Sequence, residues 1–135
     1  MPWQNAALGM AGIIGACVAV IHGILVQRYM VRPFDAFALA DKRIAGSTRR
    51  MVPLLLHFST FIWFLGGLTL VAAANWFGPE ARLATSLFVG VTYMFGAVVN
   101  CWARRGRHPG WMLMAAALVL ILLAQINPAF EATSP

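Results

Sequence analysis

The chain has 135 residues, a length typical of a single domain. Hydrophobic residues make up 61% of it and charged residues only 10%, whereas soluble domains contain about 25% charged residues. A soluble core of this size could not bury so many apolar side chains, so the composition excludes the ordinary soluble classes. The net charge of +6 lies in short segments beside long apolar runs. That distribution orients membrane proteins, and it lacks the continuous basic face that nucleic-acid binding requires.

Four apolar segments predict four transmembrane helices, at residues 6–27, 51–74, 83–103 and 110–127. Each is close to the length of about 20 residues that crosses a hydrocarbon core of about 30 Å. None of the four contains Asp, Glu, Lys or Arg in its interior. The predicted fold class is therefore an all-α membrane protein, with residues 1–135 forming one four-helix transmembrane bundle.

The first predicted helix carries a small residue at every fourth position, a spacing that lets helix backbones approach closely in lipid. The residues of this stripe are Ala7, Ala11, Gly15, Ala19 and Gly23. The stripe predicts helix packing, either within this bundle or against a partner subunit.

The connection to the second helix contains a short amphipathic pattern between Pro33 and Gly46. It predicts a short helix that lies in the membrane interface. Ser47 and Thr48 are then predicted to cap the second spanning helix, with Pro53 in its first turn.

The basic residues are distributed unevenly between the two ends of the predicted helices. One group lies between the first and second helices and the other between the third and fourth: Arg28, Arg32, Lys42, Arg43, Arg49 and Arg50, then Arg104, Arg105 and Arg107. This asymmetry predicts a bacterial inner-membrane protein with both basic loops in the cytoplasm and both termini on the periplasmic side. Arginines of both loops are expected to contact lipid headgroups: Arg28, Arg32, Arg49, Arg50, Arg104, Arg105 and Arg107.

The polar residues inside the apolar segments, towards the predicted cytoplasmic end, include His22, His57, Thr60 and Asn100. Polar groups in lipid are costly, and each is therefore a candidate cofactor-binding residue. Two histidines on two helices fit axial ligation of a b-type haem, and a quinone is the alternative ligand. Packed neighbouring helices stand about 8–10 Å apart, so haem ligation requires the first and second helices to lie across the bundle from each other. In the competing interpretation the histidines only fix helix register through interhelical hydrogen bonds.

A metal site is not predicted, although Cys17, His22, His57 and Cys101 are suitable ligand types for zinc or copper. Cys17 and His22 lie about 140° apart around one helix and do not share a face. No catalytic residues are predicted either, because no carboxylate lies within the spans to serve a cation-coupled transporter or a Ser–His–Asp site.

The functional prediction is a non-catalytic accessory subunit of a larger inner-membrane complex, with an energy-transducing complex as one option. Its expected partners are the lipid bilayer and other membrane subunits. The small size and the small-residue stripe favour this hypothesis. The alternative is a small redox membrane protein that holds one haem b or a quinone between His22 and His57. A small pore or transporter is a third hypothesis.

Overall fold

The computed structural model describes residues 2–41, 43–103, 105 and 109–125, and these residues contain helices and no β-strand. The helices are α1 (Pro2–Val26), α2 (Arg32–Ala40), α3 (Gly46–Trp76), α4 (Pro79–Ala103) and α5 (Gly110–Gln125). A π-helical turn, Gln27–Val31, joins α1 to α2. The described part of the chain is thus all-helical, as the apolar segments predict.

Three helices are long and apolar enough to cross a membrane: the continuous helix Trp3–Ala40, α3 and α4. Helix α5 is apolar too, but it has 16 residues, and its predicted extension to residue 127 lies outside the described residues. The chain is therefore a helical bundle with several membrane-span-like helices. The orientation of its termini stays a prediction.

Helices α1, α3, α4 and α5 form a ring in chain order. Each packs on its neighbour in the sequence, and α5 closes the ring against α1. Short connections make consecutive helices antiparallel. The basic end of the bundle is defined here as the end where α2 leads into α3 and α4 leads into α5. The first two spanning helices, α1 and α3, are adjacent, and their contact is the most extensive in the bundle.

The short helix predicted after the first span is present, but it continues α1 rather than forming a separate element. Pro33 has no N–H to donate, and its ring excludes the carbonyl four residues earlier, that of Tyr29. The hydrogen-bond ladder shifts instead to a five-residue spacing, in which the Arg32 N–H donates to the Gln27 carbonyl. The π turn accommodates the proline without ending the helix.

Helix α3 begins earlier than the sequence predicts. Its N-cap is Ala45, which has an extended backbone and no side-chain capping bond, so Ser47 and Thr48 are not caps. Pro53 lies inside the helix rather than in its first turn. The predicted start of this helix was wrong because Arg49 and Arg50 indicated a loop. A helix can extend beyond the apolar segment that crosses the bilayer.

The contact between α1 and α3 depends on glycine. A Cβ atom added to Gly12 would lie 2.5 Å from the carbonyl oxygen of Gly67, so the two backbones touch. Across the bundle, Tyr93 on α4 is fully buried. Its hydroxyl lies against Gly15 of α1 and donates to the Trp63 carbonyl of α3 at 3.3 Å. In lipid such close packing is a main source of helix association.

Polar contacts hold the end of the bundle opposite the basic end. Arg82 on α4 donates to the side-chain oxygen of Asn5 on α1. The Gln125 side-chain amide on α5 donates to the Ser86 hydroxyl on α4 at 2.9 Å. Nearby, residues 77 and 78 connect α3, which ends at Trp76, to α4, which begins at Pro79.

Candidate functional site

A cavity of about 170 Å³ opens between the helices near the basic end. Its walls come from α1, α3, α4 and α5, and most of its lining side chains are aliphatic: Val18, Ile21, Leu25, Leu113 and Met114. Three other lining side chains can hydrogen-bond or stack: His22, Trp63 and Asn100. We refer to it as the His22–Asn100 cavity.

His22 reaches this cavity from α1 and is held by two residues of α3. Its Nε2 atom lies 3.3 Å from the Ser59 hydroxyl oxygen. Its ring packs on the Trp63 indole, with centroids 4.7 Å apart and the ring planes inclined by 54°. The half-buried imidazole therefore has a defined orientation at the cavity wall.

Trp63 forms the wall that α3 contributes. Its side chain is only 6% exposed, and it lies against Gly96 of α4. A Cβ atom at Gly96 would come within 2.5 Å of the indole and within 3.0 Å of the Met114 methyl group. The absence of a side chain at this glycine lets the indole extend from α3 towards α4 and α5.

Asn100 lines the cavity from α4, which lies diagonally across the ring from α1. Its Nδ2 atom donates to the Gly96 carbonyl oxygen at 2.8 Å. That bond uses one of the two amide hydrogens and none of the lone pairs of Oδ1. His22 and Asn100 thus bring an imidazole and a carboxamide to one cavity from opposite sides.

His57 does not face this cavity. Its Nε2 atom donates to the Gln27 side-chain oxygen at 2.9 Å, and it lines a separate groove on the outside of α1 and α3. The structure therefore does not bring His22 and His57 around one ligand. Since α1 and α3 are also adjacent, the wide gap that two axial imidazoles and an iron need is not present between them.

Thr60 belongs to the contact between α1 and α3. Its methyl group would lie 2.8 Å from a Cβ atom at Gly23. Its hydroxyl oxygen is buried and has no hydrogen-bond partner among the described residues. Thr60 is thus placed for helix packing rather than in the cavity.

The small-residue stripe of α1 faces the interior of this bundle. Ala11, Gly15 and Ala19 are buried, and Ala7 and Gly23 are half-buried. The Tyr93 side chain lies against Gly15, and the Thr60 side chain lies against Gly23. The space at these glycines is therefore occupied by neighbours within the chain.

The arginines predicted to meet lipid headgroups lie at the basic end. Arg28, Arg32, Arg50 and Arg105 are exposed, and Arg49 is half-buried. Arg105 has a positive φ of 48° after α4, the left-handed geometry that commonly ends a helix. Arg104 and Arg107 lie outside the described residues.

Cys17 is exposed and Cys101 half-buried, and neither forms a disulfide. Among residues 2–41, 43–103, 105 and 109–125, no group of three or more His, Cys, Asp or Glu side chains could hold a metal ion.

Sequence reasoning missed two contributors, Trp63 as a cavity wall and Gln27 as the partner of His57. A signal existed for Trp63, because a tryptophan in mid-span lies away from the interfacial belts where this residue concentrates. Gln27 stands at the very end of the apolar segment, and only the π turn determines which way it faces.

No family model, curated protein or solved structure matches this chain. Its chemistry must therefore be inferred from the site itself. An imidazole and a carboxamide can each donate or accept a hydrogen bond, and an indole can stack on a flat ring. The described lining includes no carboxylate or thiol. The arrangement suits recognition of a small ring with oxygen substituents.

Proposed function

We propose that this chain is a membrane protein that binds the ring of a lipid-soluble cyclic carbonyl compound, of the quinone class, in the His22–Asn100 cavity. One observation carries the proposal: an imidazole and a carboxamide converge on a mostly apolar cavity of about 170 Å³. A few placed polar groups in an apolar pocket are typical of small-molecule sites. Cavities of about 150 Å³ accept a benzene ring, so the volume suits one six-membered ring.

The two polar groups match the oxygen substituents of such a ring. A quinone carries carbonyl oxygens at opposite ring positions and needs donors on both sides. His22 and Asn100 come from the diagonal helices α1 and α4 and supply one group each. Because both side chains can also accept hydrogen bonds, the same site suits the hydroxyl groups of the reduced ring. Trp63 supplies an aromatic wall.

The rim of the cavity suits a ligand with a hydrophobic tail. Ile21 on α1 and Leu113 on α5 line the cavity, and they are 51% and 44% exposed on the outside of the bundle. In a bilayer that surface faces acyl chains. A tail could therefore leave the cavity between α1 and α5 and lie in the lipid.

The test is a titration of the purified full chain with a short-chain benzoquinone, followed by quenching of tryptophan emission. We expect saturable quenching, with Trp63 at the site. Replacement of His22 or Asn100 by leucine should weaken binding by about two- to tenfold, since a neutral hydrogen bond contributes about 0.5–1.5 kcal/mol. Asn75→Leu is the matched control, because Asn75 is exposed and its amide bonds only to the Val71 carbonyl. Equal, non-saturable quenching in all four proteins would reject the proposal.

A second candidate function, the non-catalytic accessory subunit of a larger membrane complex, is favoured by a different observation. The continuous helix Trp3–Ala40 has 38 residues and is about 57 Å long, well beyond the thickness of a hydrocarbon core. Near its end Phe37 and Leu39 are 61% and 64% exposed. Large apolar side chains beyond the span favour contact with another surface.

Chemical cross-linking in the native membrane tests the accessory-subunit proposal. A tagged full chain should form one discrete cross-linked species that Phe37→Ser and Leu39→Ser together diminish. Leu54 and Leu55, exposed within the apolar span, provide the control pair. If the chain carries no cross-linked partner after the reaction, the accessory-subunit proposal is contradicted.

The other two hypotheses have less support. His22 and His57 face different recesses, which does not favour a haem between them. Tyr93 is fully buried and crosses the bundle from α4 towards α1 and α3, which does not favour a central pore.

A further inference from the structure

A second recess lies on the outside of the bundle, between α1, the π turn and α3. It has a volume of about 570 Å³ and is separate from the His22–Asn100 cavity. We call it the π-turn groove. Its lining residues are Val20, Gly23, Ile24, Gln27, Arg28, Arg32 and His57.

The π turn explains why the polar residues share this groove. In an uninterrupted α-helix, Gln27 and Arg32 would point about 140° apart, because five residues exceed one turn. Here the Arg32 N–H bonds to the Gln27 carbonyl, so the wider turn brings these two residues closer together around the helix, and both line the groove. Arg28 lines the same recess. Such single π turns occur frequently at functional sites.

The polar part of the groove carries positive charge from Arg28 and Arg32. Within the described residues, no carboxylate forms an ion pair with Arg28 or Arg32. The Arg28 guanidinium lies over the Tyr29 ring at 5.6 Å, and both arginines are exposed. The His57–Gln27 hydrogen bond of 2.9 Å forms the adjoining wall. The arrangement presents two guanidinium groups and an imidazole–carboxamide pair to one ligand.

The other part of the groove is apolar. Val20 and Ile24 are 50% and 62% exposed, and Gly23, which lies against Thr60 of α3, completes this apolar lining. This part belongs to the apolar run of α1, whereas Arg28 and Arg32 follow that run. The spacing from Val20 to Arg28 is about 12 Å along the helix axis. The groove therefore has a charged end and an apolar end in the direction of the membrane normal.

We infer that the π-turn groove binds one anionic glycerophospholipid. Its phosphate lies between Arg28 and Arg32, and its glycerol and upper acyl segments lie over Val20, Gly23 and Ile24. Guanidinium groups bind phosphate oxygens through paired, charge-assisted hydrogen bonds. The apolar end distinguishes a lipid from a free anion, because an inorganic phosphate would leave that end uncovered.

Native mass spectrometry of the delipidated full chain tests this inference. The probes are phosphatidylglycerol and phosphatidylcholine with identical acyl chains, with inorganic phosphate as competitor. We expect half-saturation with phosphatidylglycerol at a concentration about tenfold lower than with phosphatidylcholine. Arg28→Gln together with Arg32→Gln should abolish that preference. His57→Leu should weaken it by about threefold, because one hydrogen-bonding group is lost.

The matched control removes the same charge elsewhere at the basic end. Arg49→Gln together with Arg50→Gln should keep the preference, because neither residue lines the groove. Equal retention of the two lipids by the unmodified chain would overturn the inference. An equal loss of the preference for phosphatidylglycerol in the two double variants would overturn it as well, because such a loss indicates only general charge attraction. Displacement of the lipid by inorganic phosphate at similar concentration would identify a free-anion site and overturn it too.

Discussion

The imidazole of His22 packs against the indole of Trp63, with ring centroids 4.7 Å apart and planes inclined by 54°. This contact links two adjacent spanning helices, and the Ser59 hydroxyl, 3.3 Å from Nε2, supports the same imidazole. Both rings line the His22–Asn100 cavity. The contacts that form this cavity wall therefore also set the register of α1 on α3. A substitution in the wall should change both ligand binding and the stability of the bundle.

The first prediction concerns the indole. Trp63→Leu should lower the unfolding midpoint in denaturing detergent and weaken benzoquinone binding, because it leaves a void beside Gly96 and Met114. Truncating a buried tryptophan to alanine costs about 3–5 kcal/mol, and the change to leucine should cost less because leucine fills part of the void. Trp102→Leu is the control, since Trp102 is 82% exposed and should alter neither property. Similar losses in the two variants would contradict the assignment of Trp63 to the cavity.

The second prediction concerns the Gly15–Tyr93 contact. Gly15→Ala should destabilise the bundle by about 1–3 kcal/mol, because the added methyl group occupies the space of the Tyr93 ring. Tyr93→Phe should cost about 1 kcal/mol through loss of the bond to the Trp63 carbonyl. Gly9→Ala provides the control, since nothing lies within 4 Å of a Cβ atom there. A neutral Gly15→Ala would show that α4 does not approach α1 as described.

The third prediction concerns Pro33 and depends on the π-turn groove. Pro33→Ala restores a backbone donor and permits an ordinary α-helix, which rotates Arg32 away from Gln27. Native mass spectrometry should then show a reduced preference for phosphatidylglycerol while circular dichroism shows unchanged helix content. Pro53→Ala, at a proline inside α3 that does not line the groove, should keep the preference. If Pro33→Ala keeps the preference for phosphatidylglycerol, lipid binding does not depend on the π turn.

The fourth prediction concerns haem. With His22 at one recess and His57 at another, we expect no haem α or Soret bands from protein extracted gently from its membrane, either oxidised or reduced with dithionite. Sharp reduced bands that disappear in both His22→Ala and His57→Ala would contradict the described arrangement of α1 and α3.

The apolar runs predicted four spanning helices, and three helices are long and apolar enough to cross a membrane. A run of about 20 apolar residues is the signal because that length covers the hydrocarbon core. The runs did not predict where the helices end. The backbone ladder of α3 begins at Gly46, before the apolar run, and that of α1 passes through Pro33 into α2. Backbone hydrogen bonds can continue past the hydrocarbon core, where apolar side chains are not needed. The hydropathy of the sequence therefore marks the segment that crosses the bilayer, not the ends of the helix.

Two residues of the cavity lining could be named from the sequence, and their role in binding a cofactor stays a prediction. His22 and Asn100 were singled out because polar side chains in a span are costly, and both line the cavity. Their grouping without His57 depends on the order of helices in the ring and on the rotation of each helix. Neither quantity is encoded in a local pattern. His57 and Ser59 lie about 160° apart around α3, so the rotation of that helix decides which of them faces His22.

The most direct test of quinone binding in the cavity is site mapping with a photoreactive benzoquinone. The full chain in a lipid nanodisc is illuminated with an azido-benzoquinone, and the labelled residues are identified by peptide mass spectrometry. Labels should concentrate on the cavity-lining segments around His22, Trp63 and Leu113, and they should decrease in Asn100→Leu. Labels spread over lipid-facing residues such as Phe88 and Phe95, and unchanged in that variant, would contradict binding in the cavity.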